Sequence, residues 1–148
     1  MLFRSAGAQK AGRDPDALQV GAYINVGVGD DVQAAREAIK GSTATFAHFS
    51  ASRGSDFEGQ PDIMRTVTEK LVSSYDTKYH TQQQAPHVDH LDDEFVDWFA
   101  VTGKPDDVIQ KLAPLVELGL RHMYFVGPWQ DGLASKVMPA LRGIAGHK

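Results

Sequence analysis

The stretch from Phe99 to Pro128, "FAVTGKPDDVIQKLAPLVELGLRHMYFVGP", constrains the fold of this chain most. An apolar run, "WFAVT", leads into Gly103, and Pro105 opens a helix whose first turn carries Asp106 and Asp107. Val108, Ile109, Leu112 and Val116 recur at helical spacing, Gly119 stops the helix, and "HMYFV" resumes as a strand. A strand, a helix and a strand joined by such short turns read as a right-handed crossover between parallel strands. Pro114 lies inside the helix and is expected to bend it, since one backbone bond is lost.

The same logic extends upstream. "QVGAYINVGV", residues 19–28, is a strand bounded by Pro15 and by Gly29-Asp30-Asp31. Its alternation sends Ala22, Ile24, Val26 and Val28 to one face and Tyr23, Asn25 and Gly27 to the other. Asp30 is expected to cap a helix, with Gln33 three residues on, whose apolar positions Val32, Ala35, Ile39, Phe46 and Phe49 run toward Gly54. After the polar loop "RGSDFEGQ", Pro61 opens a helix with the stripe Ile63, Val67, Leu71 and Tyr75. Residues 77–94 read as a polar loop, with a short helical turn over 92–96. At the front, "SAGAQKAGRDPD" reads as the tail of a helix stopped by Gly12 and Pro15, and "LASKVMPALRGI" closes the chain as a helix. The order is β, a long helical excursion, β, α, β, α, in one domain.

Composition narrows the functional classes. The 15 Lys and Arg residues form no basic run and the net charge is −4, so no nucleic-acid footprint is expected. There is no cysteine, hence no disulfide framework, thiolate metal site or cysteine nucleophile, which is compatible with a reducing cytoplasm. No apolar stretch is long enough to span a membrane. A small-molecule substrate fits better.

Four places could carry chemistry. His80, His87 and His90, beside Asp89, Asp92 and Asp93, resemble a metal cluster in composition, but their spacing matches no metal motif and none is assigned. "VTGKPDD" could cradle a phosphate at a helix N-terminus, with Lys104 adding charge. Asp106 and Asp107 already occupy the positive end of that helix, so a structural joint explains each residue without a ligand. Trp129, in "FVGPWQDG", could stack on a flat ligand or lie as a lid on its own helix. Tyr23 and Asn25 on one strand face suit a lumen, a cofactor edge or a hydrogen-bonded core. No dinucleotide fingerprint, Walker loop or nucleophile elbow is present.

Taken together, "AGRDPDALQVGAYINVGVGDDVQAARE", "SYDTKYH", "LDDEFVDWFAVTGKPDDVIQKLAPLVELGLRHMYFVGP" and "VMPALRG" resemble the luciferase-like monooxygenase family. The likeness is greatest to its deazaflavin-dependent, methylene-tetrahydromethanopterin reductase-like branch. Lys104 departs from the family's turn, which usually has a small residue there. The resemblance implies an α/β fold, the C-terminal part of a TIM (α/β)8 barrel with about three parallel strands and covering helices. Residues 1–148 would be a partial barrel domain whose N-terminal half is missing. It implies a flavin- or deazaflavin-dependent oxidoreductase, performing hydride transfer or monooxygenation, with coenzyme F-420 as cofactor and FMN as the alternative. No catalytic residue carries over by motif. Strand-end geometry would bring Asn25, Thr102 and Trp129 near the barrel mouth as cofactor-binding residues. The chain alone is expected to be inactive and, with exposed strand edges, to associate; a half-barrel binding module that closes by dimerisation is the other reading.

Overall fold

A computed structural model describes residues 2–52, 59 and 61–146. The chain begins with α1, Leu2–Lys10, which ends before Gly12 at a positive φ of 69°. Strand β1, Gly21–Val28, follows, and then the 21-residue helix α2, Val32–Ser52. Its start is capped by Asp31, whose Oδ1 accepts the Ala34 amide at 3.0 Å, where the sequence had suggested Asp30. The expected loop over 53–60 lies, apart from Gly59, outside the described residues.

Helix α3, Asp62–Ser74, buries Met64, Val67, Thr68 and Leu71. The stretch read as a polar loop contains two short 3-10 turns, Thr77–Tyr79 and Pro86–His90, and then helix α4, Asp93–Phe99. Asp92 caps α4 by accepting the Phe95 amide at 2.8 Å, so Trp98 and Phe99, expected in a strand, are helical. That cap commits the chain to helix for seven residues and leaves β2 only Val101–Gly103. Helix α5, Pro105–Glu117, stops before Gly119 at φ 93°, and β3, His122–Val126, matches its expected span. A π-helical turn, Leu133–Val137, leads into α6, Met138–Gly146.

The three strands form one parallel sheet in the order β2-β1-β3. Val26, Gly27 and Val28 align with Val101, Thr102 and Gly103, while Gly21 to Asn25 align with His122 to Val126. Three parallel strands with covering helices are as expected; the central place of β1 is new. Going from β1 to β2 and then back across to β3 reverses the winding direction. Right-handed crossovers in opposite directions put their helices on opposite faces.

One face is apolar. Ile24, Val26, Val28, Val101, Met123 and Phe125 pack under Val108, Leu112 and Val116 of α5 and Val137 and Leu141 at the C-terminus. Fully burying a side chain such as Leu112 contributes roughly 2 kcal/mol. The other face, polar in part, carries Tyr23, Asn25, Gly27, Thr102 and Tyr124 by the strand register. Helix α2 crosses it antiparallel to β1, with Phe46 6.0 Å from Tyr23 between ring centroids and Ala35 against Gly27. Behind α2 lies a second core: Ile39, Ala44 and Ala47 of α2 with Leu71, Val88, Phe95 and Val96.

Candidate functional site

The C-terminal ends of the strands gather the loops after Val28, Gly103 and Val126, and this is where the residues singled out in the sequence are tested. Asn25 and Thr102 share the polar face, because Thr102 aligns with Gly27, two residues beyond Asn25. Asn25 is 5% exposed, and its Oδ1 has no hydrogen-bond partner among the described residues. Trp129 stands apart, 80% exposed, its Nε1 donating to Asp131 Oδ1 at 3.0 Å. The structure therefore brings two of the three together.

Thr102 is the centre of a charged network that sequence reasoning missed. Its hydroxyl donates to Asp97 Oδ1 at 2.5 Å, and its carbonyl accepts the Lys111 ammonium at 2.8 Å. Arg36 of α2 grips Asp97 with two parallel bonds, Nε to Oδ1 at 2.9 Å and Nη2 to Oδ2 at 2.6 Å, the fork geometry of a strong ion pair. The Arg36 hydrogen bonds, then the Thr102 bond and the nearby cations, hold the Asp97 carboxyl below the usual carboxylate range against the opposing effect of burial. The network ties α2, α4, α5 and β2 at the mouth of the sheet. The sequence separation of 61 between Arg36 and Asp97 leaves no local signal for this pair.

Lys104 serves the turn through its backbone, a role that does not require a lysine. It precedes α5, and its amide donates to Asp107 Oδ2 at 3.2 Å. Asp107 thus occupies the position an anion would need, and "VTGKPDD" works as a joint.

Two of the three histidines considered for metal binding, His80 and His87, pack around Tyr75 together with His48. The Tyr75 hydroxyl meets His80 Nδ1 at 2.7 Å and Thr45 Oγ1 at 2.9 Å, and its ring lies 4.1 Å from that of His48 and 4.3 Å from that of His87. Among the described residues no group of three or more His, Cys, Asp or Glu is placed to hold a metal ion. His87 is 1% exposed; its Nδ1 accepts the Asp76 amide at 3.5 Å, and its Nε2 has no partner among the described residues.

Burial pushes the His87 imidazole below its ordinary value, outweighing the opposing attraction of Asp76, with His48, His90 and His80 adding repulsion. Its folded pKa therefore lies below the unfolded value of about 6.5. The unfolded chain binds the proton better, so this contribution to stability is complete above that value and falls as pH drops through it. Urea denaturation midpoints at pH 7.5 and 5.5 should show the loss, and His87→Phe should flatten it; an equal pH dependence in the variant would assign the effect elsewhere.

Comparison with known proteins places this geometry. Residues 4–122 match the sequence profile of the luciferase-like monooxygenase family. A 5,10-methylenetetrahydromethanopterin reductase of Archaeoglobus fulgidus is 31% identical over 124 residues, covering 83% of this chain and 36% of the relative. The coenzyme F420 dependent tetrahydromethanopterin reductase of Methanopyrus kandleri superposes with a TM-score of 0.59 at 24% identity, over 91% of this chain and 39% of that one. The chain thus spans well under half the length of either relative, and the structural likeness shows its fold to be that of part of an (α/β)8 barrel. With a profile match over most of its length, the chain belongs to the luciferase-like monooxygenase family.

Proposed function

We propose that this chain is the C-terminal part of a coenzyme F420-dependent oxidoreductase, transferring hydride to or from a small molecule, and that the isolated 148 residues are inactive. The observation that carries this reading is the polar face of the sheet. Asn25 presents a buried oxygen that no described donor satisfies, at a cost of about 1–3 kcal/mol that a ligand's donor would relieve. Beside it Tyr23 and Tyr124 stack at 5.1 Å, exposed at 68% and 56%. In a closed barrel the helices lie outside and such a face looks into the lumen.

The donor and acceptor chemistry suits a deazaflavin or, as a second candidate, FMN. Asn25 and Thr102 would hold polar edges of the ring and Trp129 would cover it, while the bound ring supplies the hydride chemistry. In the three-stranded unit α2 lies over that face and buries Asn25 and Thr102, so these two residues serve a ligand only if α2 leaves the face when the barrel is completed. The wider activity belongs to such a completed barrel, with a small-molecule substrate.

The test is deazaflavin binding by fluorescence. The chain, co-expressed with a polypeptide supplying the earlier strands of the Archaeoglobus fulgidus relative, should bind saturably, and Asn25→Leu should weaken binding about tenfold, the loss of one buried hydrogen bond. Unchanged binding in Asn25→Leu would remove Asn25 from the site.

A further inference from the structure

Between α3 and the buried Ala85 the chain runs as a strap, residues 76–84, across the side of α2. Its side chains are mainly polar, and polar contacts fasten it. His80 Nδ1 meets the Tyr75 hydroxyl at 2.7 Å, the Thr81 amide donates to Thr45 Oγ1 at 3.2 Å, and Gln83 Nε2 donates to the Glu37 carbonyl at 3.1 Å. The strap is also under strain. Thr81 holds φ at 64°, a left-handed conformation unfavourable for a β-branched residue. Gly41 of α2 admits the strap there: a Cβ at that position would lie 2.7 Å from the Gln82 carbonyl carbon and would strike the Thr81 carbonyl oxygen. A strained segment held by a few polar bonds opens locally before the fold does.

One imidazole holds the start of the strap shut. His87 Nδ1 accepts the Asp76 amide, so the ring is neutral with its proton on Nε2, which has no partner among the described residues. A second proton has only Nδ1 to enter, where it would face the Asp76 N–H, donor against donor. The groups around His87 are His48 of α2, Tyr75 and Asp76 at the end of α3, His80 of the strap and His90 of its own turn. Asp76 attracts the charged ring, the three histidines repel it, and burial opposes it more than any of them. His80 behaves differently. Once charged, its Nδ1–H donates to Tyr75, whose hydroxyl turns to Thr45, so that contact survives.

We propose that residues 76–84 are a pH-sensitive strap: a proton on His87 breaks its bond to Asp76, the strap lifts from α2 and Thr81 relaxes, while α2 and α3 stay folded. The ring takes the proton from solvent at Nδ1 as the strap opens, exchanging one N–H···N bond for a hydrated imidazolium. An imidazole that titrates near about 6.5 when open and well below that when shut favours the open strap by up to about tenfold between pH 7.5 and 5.5. Above that range the strap is fully held. The contacts involved lie among α2, α3 and the loop between α3 and α4, away from the strands and from any flavin.

Native-state amide hydrogen exchange, read by NMR as protection factors, tests it. Protection at Thr81 should fall by about threefold to tenfold from pH 7.5 to 5.5. At both values it should be unaffected by urea up to about 1 M, because lifting the strap exposes little surface, whereas protection at Ile39 inside α2 should fall with urea. His87→Gln keeps an acceptor for the Asp76 amide and does not titrate, so Thr81 protection should become equal at the two pH values. Gly41→Ala should push the strap off α2, lowering Thr81 protection at least about tenfold already at pH 7.5 and leaving that of Ile39 in place. A pH change at Thr81 below about threefold, protection there that follows Ile39 in urea, a pH change that persists in His87→Gln, or a Gly41→Ala chain with Thr81 still protected would each overturn the proposal.

Discussion

Gly27→Ala should destabilise the chain by about 3 kcal/mol, lowering its urea midpoint to the edge of folding. A Cβ at this position would stand 2.5 Å from the Ala35 carbonyl oxygen and 3.0 Å from its carbon. Those atoms belong to the backbone of α2, whose Ala35 and Ile39 are buried, so relief requires moving the helix off the sheet. Close approach of β1 and α2 is what lets the helix cover the polar face at all. Gly143→Ala in α6 is the matching control: among the described residues no atom outside its own helical turn lies within 4 Å of its Cβ position, and replacing a helical glycine should be neutral or stabilise by up to about 1 kcal/mol. Equal midpoints for Gly27→Ala and wild type would mean that α2 does not rest on β1 in solution.

The second large effect concerns Gln130. By the register of β1 and β3, the residue that should next donate to Val26 and accept from Val28 is Pro128, and proline has no N–H to give. The Gln130 amide stands in for that peptide group, bonding the same two backbone positions. Gln130→Leu keeps the bulk and removes both bonds, leaving two backbone groups without partners at about 1–3 kcal/mol each. A loss of about 2–4 kcal/mol is expected, together with faster hydrogen exchange at the Val28 amide. Unchanged exchange there would show that the side chain does not complete the ladder.

Much of this architecture was legible where local chemistry decides. Helix α5 and strand β3 were readable because Pro105, Gly119 and the "HMYFV" run each have a local mechanism. The boundary between α4 and β2 was not, because Trp98 and Phe99 suit a strand by propensity while the Asp92 cap and burial of Phe95 and Val96 draw them into a helix. The central position of β1 was also hidden. It depends on which edge a short β2 leaves open, a tertiary matter with no sequence period.

For the site, strand alternation correctly put Tyr23 and Asn25 on one face, and pairing added Thr102 and Tyr124. The Arg36–Asp97 fork gave no signal, since both residues look like ordinary helix-surface charges until the helices meet. The histidines resembled a metal cluster in composition only, and no metal was assigned to them; Tyr75, five residues before His80, is the group that His80 and His87 pack around.

The central claim is that these 148 residues carry one part of a deazaflavin oxidoreductase and perform no hydride transfer alone. The direct measurement is the absorbance change of reduced and oxidised coenzyme F420 with the purified chain and a methylene-tetrahydropterin donor or acceptor. No saturable turnover is predicted at any chain concentration. Turnover by the chain alone, with rates that saturate in coenzyme and substrate, would contradict the account.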